Sequence, residues 1–184
     1  MKTRGFSLVE MMVSVALFAV VMLISTGALL ALIDATRKAQ ALQSVMGNLN
    51  TALDGMVRSL RMGSSYYCNG VSLGTNPCDT GSHYMSFTPF GSDPDSLGSR
   101  WVYMYDSVNG RILKSEDGGT NYFSLTAPEV HIDSFSFYII GTTVGDAVQP
   151  KVVITVKGTA GGQKIKTRTT FSIQATATQR LLDL

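Results

Sequence analysis

The longest uncharged stretch of this chain runs from Met11 to Ile33 and constrains its fold more than any other feature. As an α-helix rising about 1.5 Å per residue, these 23 residues would cover roughly 34 Å, enough to cross the hydrocarbon core of a bilayer. Lys2 and Arg4 precede the stretch, and most of the chain follows it. The positive-inside rule therefore predicts a single membrane-spanning helix with a cytoplasmic N-terminus and an external C-terminal region.

Two ordinary targeting segments explain this N-terminus less well. A cleaved secretory signal has a shorter apolar core followed by a small-x-small site, whereas here the helical pattern continues past residues 28–31. A plain signal anchor explains the apolar run but not Glu10, because a carboxylate beside a spanning segment is costly and usually has a partner or a function. The alternative is that Glu10 only lies in the first turns of the helix, where the helix dipole favours negative charge.

Residues 4–10, Arg-Gly-Phe-Ser-Leu-Val-Glu, followed by a long apolar helix, resemble the prepilin signature of type IV pilins and type II secretion pseudopilins. The shared features are a short basic leader, a glycine, a phenylalanine and a glutamate as fifth residue after the cut. The resemblance implies that a membrane prepilin peptidase cleaves between Gly5 and Phe6 and that the new amine of Phe6 is methylated. It also implies that the apolar helix is retained.

Glu10 has a physical role in such a chain. The free amine of Phe6 would be a cation, and four residues of helix would separate it from the Glu10 carboxylate by roughly 6 Å along the axis. If neighbouring helices are staggered, the Phe6 amine of one can meet the Glu10 carboxylate of the next. A buried pair of this kind fixes register more than it adds stability. We therefore expect Glu10 to act in filament assembly.

Residues 34–63 continue the helical pattern as an amphipathic segment that ends at Gly63. A two-stranded coiled coil would give a similar heptad-like repeat, but we favour packing on a sheet because the alanines are small and the strands downstream need a cover. The chain then divides into a leader at 1–5, an apolar helix at 6–33, an amphipathic helix at 34–63 and a globular region at 64–184. The apolar stripe consists of Ala35, Ala39, Leu42, Met46, Leu49, Leu53, Met56 and Leu60.

The region from residue 64 onward shows strand and turn patterns and no further helix. Residues 64–82 are rich in turn formers and predict a loop, and Asn109-Gly110 predicts a hairpin. One long helix followed by strands predicts an α+β fold, which the resemblance makes pilin-like, with an antiparallel sheet over the C-terminal half of the helix. The strand pattern is similar to that of minor pilins and minor pseudopilins. The predicted strands are 83–90, 100–106, 111–114, 132–140, 151–157 and 165–176.

The two cysteines, Cys68 and Cys78, lie ten positions apart in the predicted loop. In an exported protein a lone close pair indicates a disulfide, whereas in a cytosolic protein it could be two idle thiols. Because the N-terminus predicts export, we expect these cysteines to be bonded.

Several other patterns do not support a catalytic or metal site. Gly70–Gly74 matches the nucleophile elbow of serine hydrolases, but that motif needs a strand, a sharp turn and a helix. His83 and His131 have no ligand at metal spacing. The acidic segments 93–95 and 116–119 do not match a full calcium-binding loop and are typical of turns. We predict no catalytic residue, no metal and no cofactor.

The charge balance argues against nucleic acid as the main partner. The chain has 15 Lys and Arg and 13 Asp and Glu, and without the first five residues the two signs are equal. Trp101, Tyr103 and Tyr105 alternate along one strand, which favours packing over a base-stacking platform. One set of cations would favour a binding role, with a solvated strand face as the alternative: Lys151, Lys157, Lys164, Lys166 and Arg168.

The sequence thus predicts a structural subunit, a minor pilin or pseudopilin of a type IV pilus or a type II secretion pseudopilus. Its expected partners are other subunits, the prepilin peptidase and an assembly platform in the cytoplasmic membrane, with no small-molecule substrate. The chain would cross that membrane once and then enter a filament on the extracytoplasmic side. The alternative is a tip subunit that contacts DNA, a surface or a secreted protein. A membrane-anchored enzyme would need a convergent catalytic group that the sequence does not show.

Overall fold

The computed structural model describes residues 5–143, 148–160 and 169–180. The chain forms two compact units, Met1–Gln40 and Ala41–Leu184. Leader residues 1–4 lie outside the described residues, as do residues 165–168 of the last predicted strand. The predicted basic residues Lys164, Lys166 and Arg168 therefore also lie outside them.

One continuous α-helix, α1, spans Leu8–Met62, so the predicted long helix is confirmed, although Phe6 lies before its first turn. At the other end, the N–H of Gly63 donates to the carbonyl of Leu60 at 3.1 Å. A side chain at position 63 would collide with the ring of Phe87, so only glycine lets the chain pass this ring as it leaves the helix. The predicted stop at Gly63 is confirmed, with close packing as its cause.

The first sheet is antiparallel, with its five strands in chain order. The prediction of a loop over 64–82 was wrong at its start, because residues 64–68 form the first strand. Tyr67 and Cys68 pair with the next strand, after a bulge that includes Ser65 at φ 53°. This pairing, not the local sequence, extends the segment. The strands are β1 (Ser64–Cys68), β2 (Tyr84–Thr88), β3 (Trp101–Asp106), β4 (Arg111–Ser115) and β5 (Phe123–Ser124).

The second sheet contains β6 (His131–Ile140), β7 (Lys151–Ala160) and β8 (Thr169–Thr178), antiparallel and in that order. The predicted antiparallel arrangement is confirmed, but the strands form two sheets rather than one. The sheets are joined by an isolated bridge between Ser82 and Phe137 and by the hydroxyl of Tyr105, which donates to the carbonyl of Ile132 at 2.7 Å. Along β8 the predicted alternation is confirmed from Phe171 to Ala175.

The core of the Ala41–Leu184 unit lies between the C-terminal part of α1 and both sheets. Leu49, Met56 and Leu60 are fully buried there, in one cluster with aromatic and β-branched residues of the strands. Packing on sheets, rather than a coiled coil, is therefore confirmed for this part of the helix. Ala35 and Ala39 of the predicted stripe are exposed. The alternating aromatic residues of β3 pack against the core as expected.

Arg100 is a buried cation that the sequence analysis did not single out. Its side chain is fully buried and donates to the hydroxyls of Ser86 and Thr88 and to the carbonyl of Ser65. Burial lowers the pKa of this guanidinium. Within the described residues its hydrogen-bond partners are all uncharged oxygens, which hold the β1 bulge against β2.

Candidate processing and assembly site

The helix begins at a cap formed by Ser7. The N–H of Glu10 donates to the Ser7 hydroxyl at 3.3 Å, and the N–H of Met11 donates to the Ser7 carbonyl at 3.2 Å. Ser7 and Glu10 have the Ser-x-x-Glu spacing of a capping box, which satisfies N–H groups that have no partner inside the helix. The sequence analysis missed Ser7, although this spacing was its signal.

Gly5 and Phe6 lie immediately before the cap, outside the helix. A side chain at Gly5 would meet no atom of this protein within 4 Å, and Phe6 is 76% exposed. Proteases reach exposed, non-helical backbone most readily, so the Gly5–Phe6 bond is open to an external enzyme. The described part of the fold therefore does not itself require glycine at position 5.

Glu10 is exposed on the first turn of α1. Among the residues that the structure describes, it forms no ion pair. Its backbone N–H is occupied by the cap, whereas its carboxylate is not bound to any other side chain in the described part of the protein. A carboxylate at the start of a helix is favoured by the dipole, so capping and pairing can be served by the same residue.

The apolar part of α1 exposes its side chains. Among the described residues, α1 is the one helix long and apolar enough to cross a membrane, and none of its most apolar window is buried inside the protein. The hydroxyls of Ser14 and Thr26 donate to the carbonyls of Glu10 and Met22, at 2.7 and 2.8 Å. Both polar groups are thereby satisfied within the helix, as an apolar surrounding requires.

Cys68 and Cys78 form a disulfide, as predicted, and both are buried. The loop they close is held by Asn76, whose backbone N–H donates to the Tyr66 carbonyl at 2.9 Å. The N–H of Cys78 donates to the carbonyl of Ile139 at 3.1 Å. The disulfide therefore joins the end of β1 to a segment that hydrogen-bonds to β6.

The acidic segment around Asp117 is a turn, as expected. Its carboxylate accepts hydrogen bonds from the N–H groups of Asn121 and Thr120, at 2.9 and 3.0 Å, and from the hydroxyl of Ser115. These bonds, with Asn121 the largest contributor, lower the pKa of Asp117. In the described part of the chain no three His, Cys, Asp or Glu side chains are grouped as metal ligands.

The other polar candidates are also engaged in the fold. A ring nitrogen of His83 contacts the carbonyl of Phe135. His131 is exposed beside Asp133, at 3.6 Å between nitrogen and oxygen. Residues 70–74 precede another loop segment and no helix. None of these residues lies in a catalytic arrangement with another in the described structure.

Comparison with known proteins agrees with this N-terminal geometry. Residues 1–26 match the family model described as the prokaryotic N-terminal methylation motif, which is the signature of type IV pilins and pseudopilins. No curated protein and no solved structure gave a match to the chain.

Proposed function

We propose that this chain is a minor pilin or pseudopilin, a structural subunit of a type IV pilus or a type II secretion pseudopilus. The observation that carries the proposal is the methylation motif at residues 1–26 together with a helix whose apolar surface is unburied. A helix that is apolar all round must be covered by lipid or by other helices. In such a subunit, lipid covers the helix while the chain is stored in the membrane. Other helices cover it once the subunit is packed into the filament core.

The proposed sequence of events starts in the cytoplasmic membrane, with the globular region outside. The prepilin peptidase cuts between Gly5 and Phe6, and the new amine of Phe6 is methylated. An assembly platform then moves the subunit into the filament, where the Phe6 amine of one subunit meets the Glu10 carboxylate of another. The chain is a substrate of the peptidase and has no catalytic function of its own in this proposal.

The test is the ratio of chain in sheared, purified filaments to chain in membranes, for wild type and for Glu10→Ala. Breaking a buried charge pair costs about 3–5 kcal/mol, so Glu10→Ala should be cut and retained in the membrane yet largely absent from filaments. Glu10→Gln should be partly tolerated, since it keeps the shape and loses the charge. Asp34→Ala removes an exposed carboxylate beyond the apolar stretch and serves as the matched control. A wild-type ratio for Glu10→Ala would refute this role.

A second candidate function, a tip subunit that binds an acidic partner, is favoured by one feature of the globular unit. Arg58, Arg61 and Arg180 line a cavity of about 460 Å³ near the end of α1, with Asp54 as its acidic member. The N–H of Arg180 donates to the carbonyl of Arg61 at 2.8 Å, which keeps the two residues together.

Double-stranded DNA of random sequence is the probe for this second function. The variant Arg58→Gln/Arg61→Gln should weaken binding and lower its salt dependence if the cavity is the site. Lys151→Gln/Lys157→Gln on β7 is the control with the same loss of charge. Equal effects of both variants would indicate non-specific attraction and contradict a tip-binding role for the cavity.

A further inference from the structure

The two sheets have four outer edges. Both edges of the first sheet are protected from pairing with another chain. β1 is only five residues long, is bulged, and accepts a hydrogen bond from the N–H of Asn76 at the Tyr66 carbonyl. β5 at the other end has only two residues, Phe123 and Ser124. Short, bulged or covered edges are the usual ways in which proteins prevent pairing with other chains.

The β6 edge of the second sheet is covered by the protein's own backbone. Ser82 and Phe137 exchange two backbone hydrogen bonds, of 2.9 and 2.7 Å. Nearby, the N–H of Cys78 donates to the carbonyl of Ile139, and the N–H of Ile132 donates to that of Gly110. A bulge between Ile132 and Ser134 adds to this protection.

Along Thr169–Thr178, the described structure shows none of these protections for the β8 edge. All ten residues of Thr169–Thr178 pair with β7 without a register shift, and none of them is charged or is proline. Lys, Pro or a bulge is what an exposed edge of this length usually carries. β8 is thus the one long, regular and uncharged edge among the strands that the structure describes.

The hydrogen-bond pattern shows which backbone groups of β8 are unpaired. The N–H of Gln179 donates to the carbonyl of Pro150 at 2.8 Å, so this pair is a hydrogen-bonded one. Such pairs alternate along an antiparallel ladder, so odd-numbered residues of β8 bond to β7 and even-numbered ones point their N–H and C=O outward. Within residues 5–143, 148–160 and 169–180, none of these outward groups has another partner. They belong to the exposed residues Thr170, Ser172, Gln174, Thr176 and Thr178.

We propose that the open edge of β8 accepts an extended strand from a neighbouring subunit of the filament, which extends the second sheet between subunits. Only an extended backbone satisfies a row of alternating N–H and C=O groups. Ile173 and Ala175 are half-buried on one face, so the incoming strand carries small apolar side chains there. Opposite Ser172 and Gln174 it carries uncharged polar ones.

The donor strand differs from β8 itself. Two copies of β8 paired about a two-fold axis would use up both edges and close the assembly, whereas a filament grows by head-to-tail contacts between different surfaces. This inference rests on the proposed function, because it requires a neighbour in a filament.

Hydrogen–deuterium exchange of single amides tests the inference in the full chain, compared between membrane extract and sheared filaments. In the extract, the amides of Ser172, Gln174 and Thr176 should exchange fast, while those of Ile173 and Ala175 are protected by β7. In filaments the even-numbered amides should slow by about 100-fold, because a hydrogen-bonded amide exchanges only after local opening. Chain found in filaments with fast even-numbered amides would overturn the inference and leave the proposed function intact.

A pair of variants at one position gives a second readout. Gln174→Pro removes only an outward N–H and no bond to β7, whereas Gln174→Ala keeps that N–H and serves as the control. At similar melting temperatures, Gln174→Pro should enter filaments at least about tenfold less than Gln174→Ala. Equal entry would contradict the inference. A chain absent from all filaments would refute the proposed function and the inference together. If the even-numbered amides are already protected in an extracted dimer, β8 pairs with β8 of a second copy, and the inference of a different donor strand is overturned.

Discussion

Two stretches of the same helix differ in whether their apolar residues are exposed or buried. Before Ile33, α1 exposes them, and Leu23 is 75% exposed. Between Val45 and Leu60 it buries them, and Leu49 is completely buried against strands of its own chain. The first stretch has apolar residues all round, so no single sheet could cover it, whereas the second has one stripe that a sheet can cover. The first stretch therefore needs a cover from outside the described globular region, such as lipid or other helices.

Truncating a leucine in each stretch gives the largest expected difference. Leu49→Ala should lower the free energy of unfolding of the globular unit by about 2–5 kcal/mol, because it leaves a cavity in a packed core. Leu23→Ala should change it by less than about 0.5 kcal/mol. Urea unfolding in detergent can be followed by the fluorescence of Trp101, the single tryptophan, which packs against that core. Similar losses for both variants would contradict the comparison.

A charge placed in the exposed apolar stretch tests whether this stretch is the membrane segment. Val20→Lys places a cation in the middle of the apolar run, at an insertion cost of about 2.5–3.5 kcal/mol. We expect less chain in the membrane fraction, while Val20→Ala should insert normally. The urea midpoint of whatever Val20→Lys protein is recovered should match wild type. Unimpaired insertion would mean that this stretch is not the membrane segment.

The disulfide belongs to the globular unit alone. Replacing Cys68 and Cys78 by serine should lower the free energy of unfolding by about 2–3 kcal/mol through the freed loop, with no effect on membrane insertion. Reduction of the wild type should give the same loss. Mass spectrometry of unreduced, alkylated protein should find neither thiol modified, and two modified cysteines would refute the bond.

The smallest expected effect concerns the helix cap. Ser7→Ala should destabilise the first turn by about 1 kcal/mol, seen as faster exchange of the Glu10 amide. Ser7→Asp should restore most of the protection. Ser14→Ala is the control, because its hydroxyl bonds to a carbonyl and not to an N–H of the first turn. If the Glu10 amide exchanges at the same rate in Ser7→Ala as in wild type, Ser7 does not cap the helix.

The sequence pattern predicted the parts of the fold that are determined by residues close together in the sequence. The end of α1 before Gly63, the α+β class and most strand positions followed from periodicity and turn residues. β1 was missed because Ser64–Cys68 is extended only by its pairing with β2 across a bulge. The split into two sheets and the burial of Arg100 depend on contacts between residues distant in sequence, which periodicity does not encode.

The candidate site was predictable to a similar degree. Gly5, Phe6 and Glu10 were predicted from a family signature, and their roles stay predictions. The structure places Glu10 on the first turn of α1 and Gly5 and Phe6 just before the helix, all three exposed. Ser7 was not among the predicted site residues, although its spacing to Glu10 predicts the cap that the structure shows. The open β8 edge needed the register of β7 and β8, which the sequence alone does not provide.

The mass of the N-terminal tryptic peptide, from chain recovered in sheared filaments, tests directly whether the apolar helix is processed and retained. We expect a peptide from Phe6 to Arg37, heavier than its sequence by one methyl group on the α-amine. A peptide that runs from Gly5 to Arg37, which trypsin releases from an uncut chain by cleaving after Arg4, would contradict it, as would a chain that begins near Leu32. Either result would mean that the apolar helix is not processed and retained as a prepilin helix is.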